Sequence, residues 1–258
     1  YIQDNTLFML TRYKKDSLWR SLDGGTRWER VYSSALANVD SIKLFELSPQ
    51  YGNGSQVVFL AGTSNGDPAI WRSVDNGQNF VCWITHDSTT DDTFSIDVWA
   101  VVDDDTLFVG SYDDDDRNGL VYYTTDSGRT YSTGTKVGRY SLNTILLSPD
   151  YEQDRTILVG NTKGWVYWSN DNGVSFKPLP PGAVLPHFTR SVTIDFDPEF
   201  SSNKTVYAVT HTADIYKGIY KGIYRFVIGE STEWVFILAT TAPPLVGPEQ
   251  TSRSSLTR

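Results

Sequence analysis

Apolar residues along this chain come in short runs, with no segment repeating at the 3.6-residue spacing of an amphipathic helix. Five Thr- or Val-led runs stand out, at 6–10, 57–62, 106–110, 156–160 and 205–210. With Phe8, Phe59, Phe108, Leu158 and Tyr207 taken as equivalent, the intervals are 51, 49, 50 and 49 residues. A second marker closes the run before three of these strands: Leu47-Ser48-Pro49, Leu147-Ser148-Pro149 and Phe196-Asp197-Pro198, followed by Tyr51, Tyr151 or Phe200. A third follows the pattern Ser/Thr-x-Asp-x-Gly-x-x-aromatic. It occurs as Ser21, Asp23, Gly25, Trp28; Ser73, Asp75, Gly77, Phe80; Thr124, Asp126, Gly128, Tyr131; and Ser169, Asp171, Gly173, Phe176. A fifth copy has decayed. Ile223, Tyr224 and Arg225 match Ile70, Trp71 and Arg72, and Gly229 and Trp234 survive, but the Ser and Asp are gone, which predicts a looser turn.

Each unit therefore reads as four short strands separated by a Ser-Pro turn, a Gly-rich turn and an Asp-x-Gly hairpin. One such sheet has two apolar faces and cannot bury either alone, so copies must stack, and radial stacking also protects their edges. The prediction is an all-β propeller of about five four-stranded blades over residues 1–240, at approximately 1–34, 35–86, 87–137, 138–182 and 183–240. The Pro-, Ser- and Thr-rich stretch 241–258 reads as a tail or linker. The inner strand of the first blade falls ahead of Tyr1. This leaves a five-bladed ring with one three-stranded blade or, the favoured reading, part of a longer polypeptide; a start at Tyr1 fits a processed product.

In each motif the Asp side chain can accept bonds from amides of its own turn, Gly two residues later can take positive φ, the Ser or Thr hydroxyl adds a local bond, and the aromatic that starts the next strand packs against the sheet. The four copies resemble Asp-boxes, the bacterial neuraminidase repeats of a propeller superfamily that includes sialidases, sortilin-type receptors, xyloglucan-cleaving hydrolases and a photosystem assembly factor. The resemblance covers most of the chain. It implies a propeller whose boxes lie at the blade periphery, away from any catalytic centre, with a structural role for the box residues. It implies little about activity, since one fold hosts many functions.

Composition narrows the partners. A formal charge of −9 argues against nucleic acid, which needs clustered cations. No apolar stretch is long enough for a membrane-spanning helix, and no direct membrane insertion is expected. The single cysteine, Cys82, lies in the apolar stretch 80–84 and reads as a small core residue; no disulfide within the chain can form.

Candidate chemistry is sparse. Glu46, Asp97 and Asp195 fall on predicted inner strands, where two carboxylates about 6.5–9.5 Å apart would serve an inverting glycosidase. The sialidase resemblance would require an early Arg-Ile-Pro, which is absent. Arg20, Arg72 and Arg225 share one repeat position and read as structural, while Arg190 is the one Arg beside an inner strand. His86, His187 and His211 have no metal-ligand spacing. The run Asp113, Asp114, Asp115, Asp116 has the oxygen chemistry for Ca²⁺ but reads first as a solvated loop. Asn53 and Asn203 begin glycosylation sequons in equivalent loops. The near-duplicate 216–219 and 220–223 lengthens a turn and projects an aromatic loop. The expected function is a non-enzymatic extracellular or cell-surface binding or scaffolding module, with a protein or glycan partner, membership of a larger assembly and no cofactor. A glycoside hydrolase is the alternative, and an intracellular assembly factor the third option.

Overall fold

The computed structural model describes residues 5–210, 212–214 and 219–239; His211, Tyr216, Lys217, Gly218 and the 241–258 tail lie outside them. Five antiparallel sheets follow one another along the chain. The first holds β1 (Leu7–Tyr13), β2 (Lys15–Ser21) and β3 (Glu29–Ser33). The second holds β4 (Ser41–Leu47), β5 (Val58–Ser64), β6 (Asp67–Ser73) and β7 (Val81–Ile84). The third holds β8 (Val98–Val101), β9 (Leu107–Asp113), β10 (Asn118–Thr124) and β11 (Thr135–Arg139). The fourth holds β12 (Leu142–Leu147), β13 (Ile157–Asn161), β14 (Val166–Ser169) and β15 (Lys177–Leu179). The fifth holds β16 (Thr193–Phe196), β17 (Thr205–Thr210), β18 (Gly222–Val227) and β19 (Val235–Ala239). Within each sheet the strands lie in chain order, and the inner strands β8, β12 and β16 approach one another. This is a β-propeller. The first sheet lacks an inner strand among the described residues, as the repeat alignment predicts.

The second strand of each blade shows why the sheets stack. Alternate residues point to opposite faces of a strand, so Val58 and Leu60 join the core shared with the first sheet, while Phe59 and Ala61 join the core shared with the third. In the same way Leu107 and Val109 face the second sheet while Phe108 faces the fourth, and Ile157 and Val159 face the third while Leu158 faces the fifth. Each of these ten side chains is fully buried. Full burial of one such chain contributes roughly 1.5–3 kcal/mol, which only a neighbouring blade can supply. Leu7 and Met9 on β1, and Val235 and Ile237 on β19, stay exposed.

The four Ser/Thr-x-Asp-x-Gly motifs form the same turn between the third and fourth strands. In each, the hydroxyl donates to the Asp Oδ1 at 2.7–2.9 Å and accepts from the Gly amide at 2.8–3.0 Å. The same Oδ1 accepts from the amide four residues on, at Arg27, Asn79, Thr130 and Ser175. The repeated Arg clamps neighbours. Arg20 donates to the Asn76 carbonyl of the second sheet's turn and pairs with Glu29, and Arg72 reaches the Asp104 carbonyl and Asp105 of the third blade. The decayed fifth copy closes differently, with the Ser231 hydroxyl accepting from the Val227 amide.

Three expectations need correction. Cys82 is exposed, because β7 is the outermost strand of its sheet and no further blade covers that edge. Of the motif aromatics, Tyr131 is buried and Phe80 and Phe176 partly so, but Trp28 is exposed and donates its indole N–H to the Gly25 carbonyl of its own turn. Asp97 stands just ahead of β8 and not within it.

Candidate functional site

Antiparallel strands in chain order give each blade two ends. Turns between first and second strands and between third and fourth strands, which include the Asp-x-Gly turns, lie at one end. Turns between second and third strands, and the connections from one blade to the next, lie at the other. The chemistry is concentrated at this second end, where three short segments converge.

There a cavity of about 530 Å³ is lined by Arg139 and Tyr140 from the end of β11, Lys163 and Trp165 from the β13–β14 turn, Tyr167 from β14, and Val184, Leu185, Pro186 and Thr189 from the β15–β16 connection. A second cavity of about 520 Å³ shares Lys163 and Thr189 and adds Arg190, so the two form one groove across the fourth and fifth blades. Asn161, wholly buried, positions its floor. Its Oδ1 accepts from the amides of Lys163 and Trp165 at 2.9 and 3.0 Å, and its Nδ2 donates to the Arg139 carbonyl at 3.0 Å. One side chain thus fixes the turn that carries Lys163 and the strand end that carries Arg139.

The Trp165 and Tyr167 rings lie 5.6 Å apart and nearly parallel, at 21°. Burial, helped by the neighbouring Tyr140, pushes the Tyr167 hydroxyl up to about 12, so it stays protonated. Across the groove, Phe188 is fully buried against Tyr224 and Trp234 and anchors the β15–β16 connection, leaving Val184 and Leu185 88 % and 68 % exposed. Within this connection the Thr189 hydroxyl and His187 Nε2 are shielded from solvent without a hydrogen-bond partner among the described residues. Burial holds the His187 imidazole below its ordinary pKa against the opposing pull of Glu233. Sequence reading singles out Arg190 but not Arg139, Lys163 or Trp165, because they come from turns whose side chains do not repeat between blades.

The three candidate carboxylates have separate hydrogen-bond partners. Glu46 on β4 is partly buried, and burial lifts its carboxyl to about 7, against hydrogen bonds from the Val101 amide and the Trp99 indole that pull it down. Asp97 is exposed and accepts from the hydroxyls of Ser95 and Ser141. Asp195 on β16 is exposed and accepts from the Phe196 amide. None of these three lines either cavity of the groove. Asp113, Asp114, Asp115 and Asp116 line a separate cavity with Asp87 and Asp92, but Asp113 is occupied by the amides of Asp115 and Asp116, and Asp116 pairs with Lys136. Among the described residues no three His, Cys, Asp or Glu side chains are placed to hold a metal ion.

The two sequons differ. Asn203 donates from Nδ2 to Asp197 and accepts from the Thr205 amide, whereas Asn53 is exposed and its side chain makes no such bond. If the chain is secreted from a glycosylating host, Asn53 is expected to carry glycan and Asn203 to remain bare. Peptide mapping after enzymatic deglycosylation reads this out, and a glycan on Asn203 alone would contradict it.

No protein-family model and no curated protein matches the sequence. Among solved structures the chain is similar to a GH74 xyloglucanase from Xanthomonas campestris, at 14% identity and a TM-score of 0.57, covering 91% of this chain and 37% of that one. It is similar to YCF48 bound to D1 peptide, at 13% identity and 0.59, covering 93% and 65%. It is also similar to Chaetomium thermophilum Sqt1 bound to the N-terminus of the ribosomal protein L10, at 15% identity and 0.52, covering 88% and 57%. The chain therefore spans less than two thirds of each of these structures, and what they share with it is the β-propeller fold.

Proposed function

We propose that this chain is a non-enzymatic β-propeller that binds a protein partner at the end opposite its Asp-x-Gly turns, outside the cell or at its surface and within a larger assembly. The observation that carries this reading is the groove across the fourth and fifth blades, where exposed apolar, aromatic and cationic side chains converge. An exposed patch of this composition marks an interaction surface. The peptide and protein complexes of YCF48 and Sqt1 give the fold a precedent for such partners. The extracellular setting draws on the resemblance of the turns to Asp-boxes of secreted propellers and on the exposed sequon at Asn53.

A second reading, a glycoside hydrolase, is favoured by one feature: Glu46 with its carboxyl lifted to about 7, the range of a general acid. Incubating the purified chain with xyloglucan and a panel of other polysaccharides, and assaying reducing ends, separates the two. The expected result is no release above a no-protein blank. Turnover that disappears in Glu46→Gln or Asp195→Asn would replace the binding reading with the enzymatic one.

A further inference from the structure

We infer that the groove across the fourth and fifth blades recognises an extended peptide segment in which carboxylate side chains alternate with apolar ones. This rests on the protein-binding reading above and names the chemistry of the partner. Three cations reach the groove from three segments: Arg139 from the end of β11, Lys163 from the β13–β14 turn and Arg190 from the β15–β16 connection. All three are exposed, and none of their side chains has an ion pair or hydrogen bond among the described residues. Elsewhere several cations are engaged: Arg20, Arg72 and Lys136 pair with carboxylates, and Arg129, Arg155, Lys177 and Lys204 lie over aromatic rings. An uncompensated positive cluster in a chain of net charge −9 steers an acidic ligand to one place and disfavours its landing elsewhere.

Charge alone does not choose between a peptide and an anionic glycan, but the apolar lining does. A sugar ring gains from the partly exposed Trp165 ring, Tyr167 being buried. It gains little from Val184 and Leu185, two largely exposed aliphatic side chains beside Pro186. Leucine- or isoleucine-like side chains on a bound strand would cover them and bury apolar area on both partners. Because neighbouring side chains on an extended chain point in opposite directions, carboxylates and apolar groups at alternate positions separate the two kinds of contact.

The test is fluorescence anisotropy with a labelled peptide of Glu, Asp and Leu, its counterpart with Lys for each acid, its counterpart with Ser for each Leu, and a chondroitin sulfate oligosaccharide. The acidic, Leu-containing peptide is expected to bind most tightly and to weaken as salt rises. The double variant Lys163→Glu/Arg190→Glu is expected to weaken it by about 10-fold or more, and Trp165→Ala to weaken it as well. Circular dichroism and the melting temperature should be unchanged in the charge variants, since both positions are exposed. Equal binding of the Lys peptide, no binding of the acidic one, or full affinity in the double variant overturns the inference. Tighter binding of the sulfated oligosaccharide transfers the groove to a glycan and overturns it too. A chain that hydrolyses polysaccharide fails the underlying reading, whereas one inert to polysaccharide that ignores the acidic peptide fails this inference alone.

Discussion

Gly164→Ala is expected to destabilise the chain by about 2–4 kcal/mol and to abolish binding in the groove. Gly164 sits in the β13–β14 turn at φ +83°, a conformation that costs an L-residue roughly 1–2 kcal/mol. The larger difficulty is space. An added Cβ would lie 2.2 Å from the Phe188 carbonyl oxygen and 2.5 Å from its carbon. These are backbone atoms, and Phe188 is itself fully buried against Tyr224 and Trp234, so it cannot yield as the end of a flexible side chain would. Relief requires pushing the β15–β16 connection away from the turn, which separates Thr189 and Arg190 from Lys163 and opens the groove. Gly182→Ala is the control: it has φ +73° and nothing within 4 Å of a Cβ, so only the conformational cost remains. Urea melts of both variants, with peptide binding measured on each, check the claim. If the two glycines cost the same, the close approach of turn and connection is not what shapes the site.

How much of this could be read from the sequence depends on what repeats. Phe59, Phe108 and Leu158 sit at one position of the repeat and are buried between blades, because the packing problem recurs in each blade flanked on both sides, while Phe8 and Tyr207 at the same position of the first and fifth are partly buried. The Asp-x-Gly turns are legible for the same reason, being closed by atoms within seven consecutive residues. The groove is illegible because its members come from three different connections, and what brings them together is the spacing of blades and not any local pattern. Besides Arg190, Asn161 left a trace, in the run Asn161-Thr162-Lys163-Gly164-Trp165: an Asn three residues before Gly, at a strand end, is the composition of a side-chain-closed turn. Cys82 shows the opposite failure. The apolar stretch around it spells a strand, but whether a strand is inner or outermost sets its burial, and that is a property of the ring.

Glu46→Gln is expected to stabilise the chain at pH 8, by about 2–3 kcal/mol, and to leave it unchanged near pH 4. The Glu46 carboxyl is lifted from an ordinary 4.5 to about 7, chiefly by burial; hydrogen bonds from the Val101 amide and Trp99 indole offset only part of that. An acid whose pKa is higher in the folded state holds its proton there over a pH range in which the unfolded chain has released it. Its contribution is therefore fully favourable below about 4.5, declines as pH rises towards 7, and settles above 7 as the cost of a partly buried anion. Gln keeps a carbonyl oxygen to accept both bonds and carries no charge at any pH, so the variant lacks that decline. For a chain of this size the gain at pH 8 corresponds to a rise in melting temperature of roughly 4–10 °C. Thermal melts of both proteins from pH 4 to pH 8 give the difference directly. A gap that fails to widen between pH 4.5 and 7 would mean that Glu46 ionises as freely in the folded ring as in the unfolded chain, and the case for a general acid at this position would fall with it.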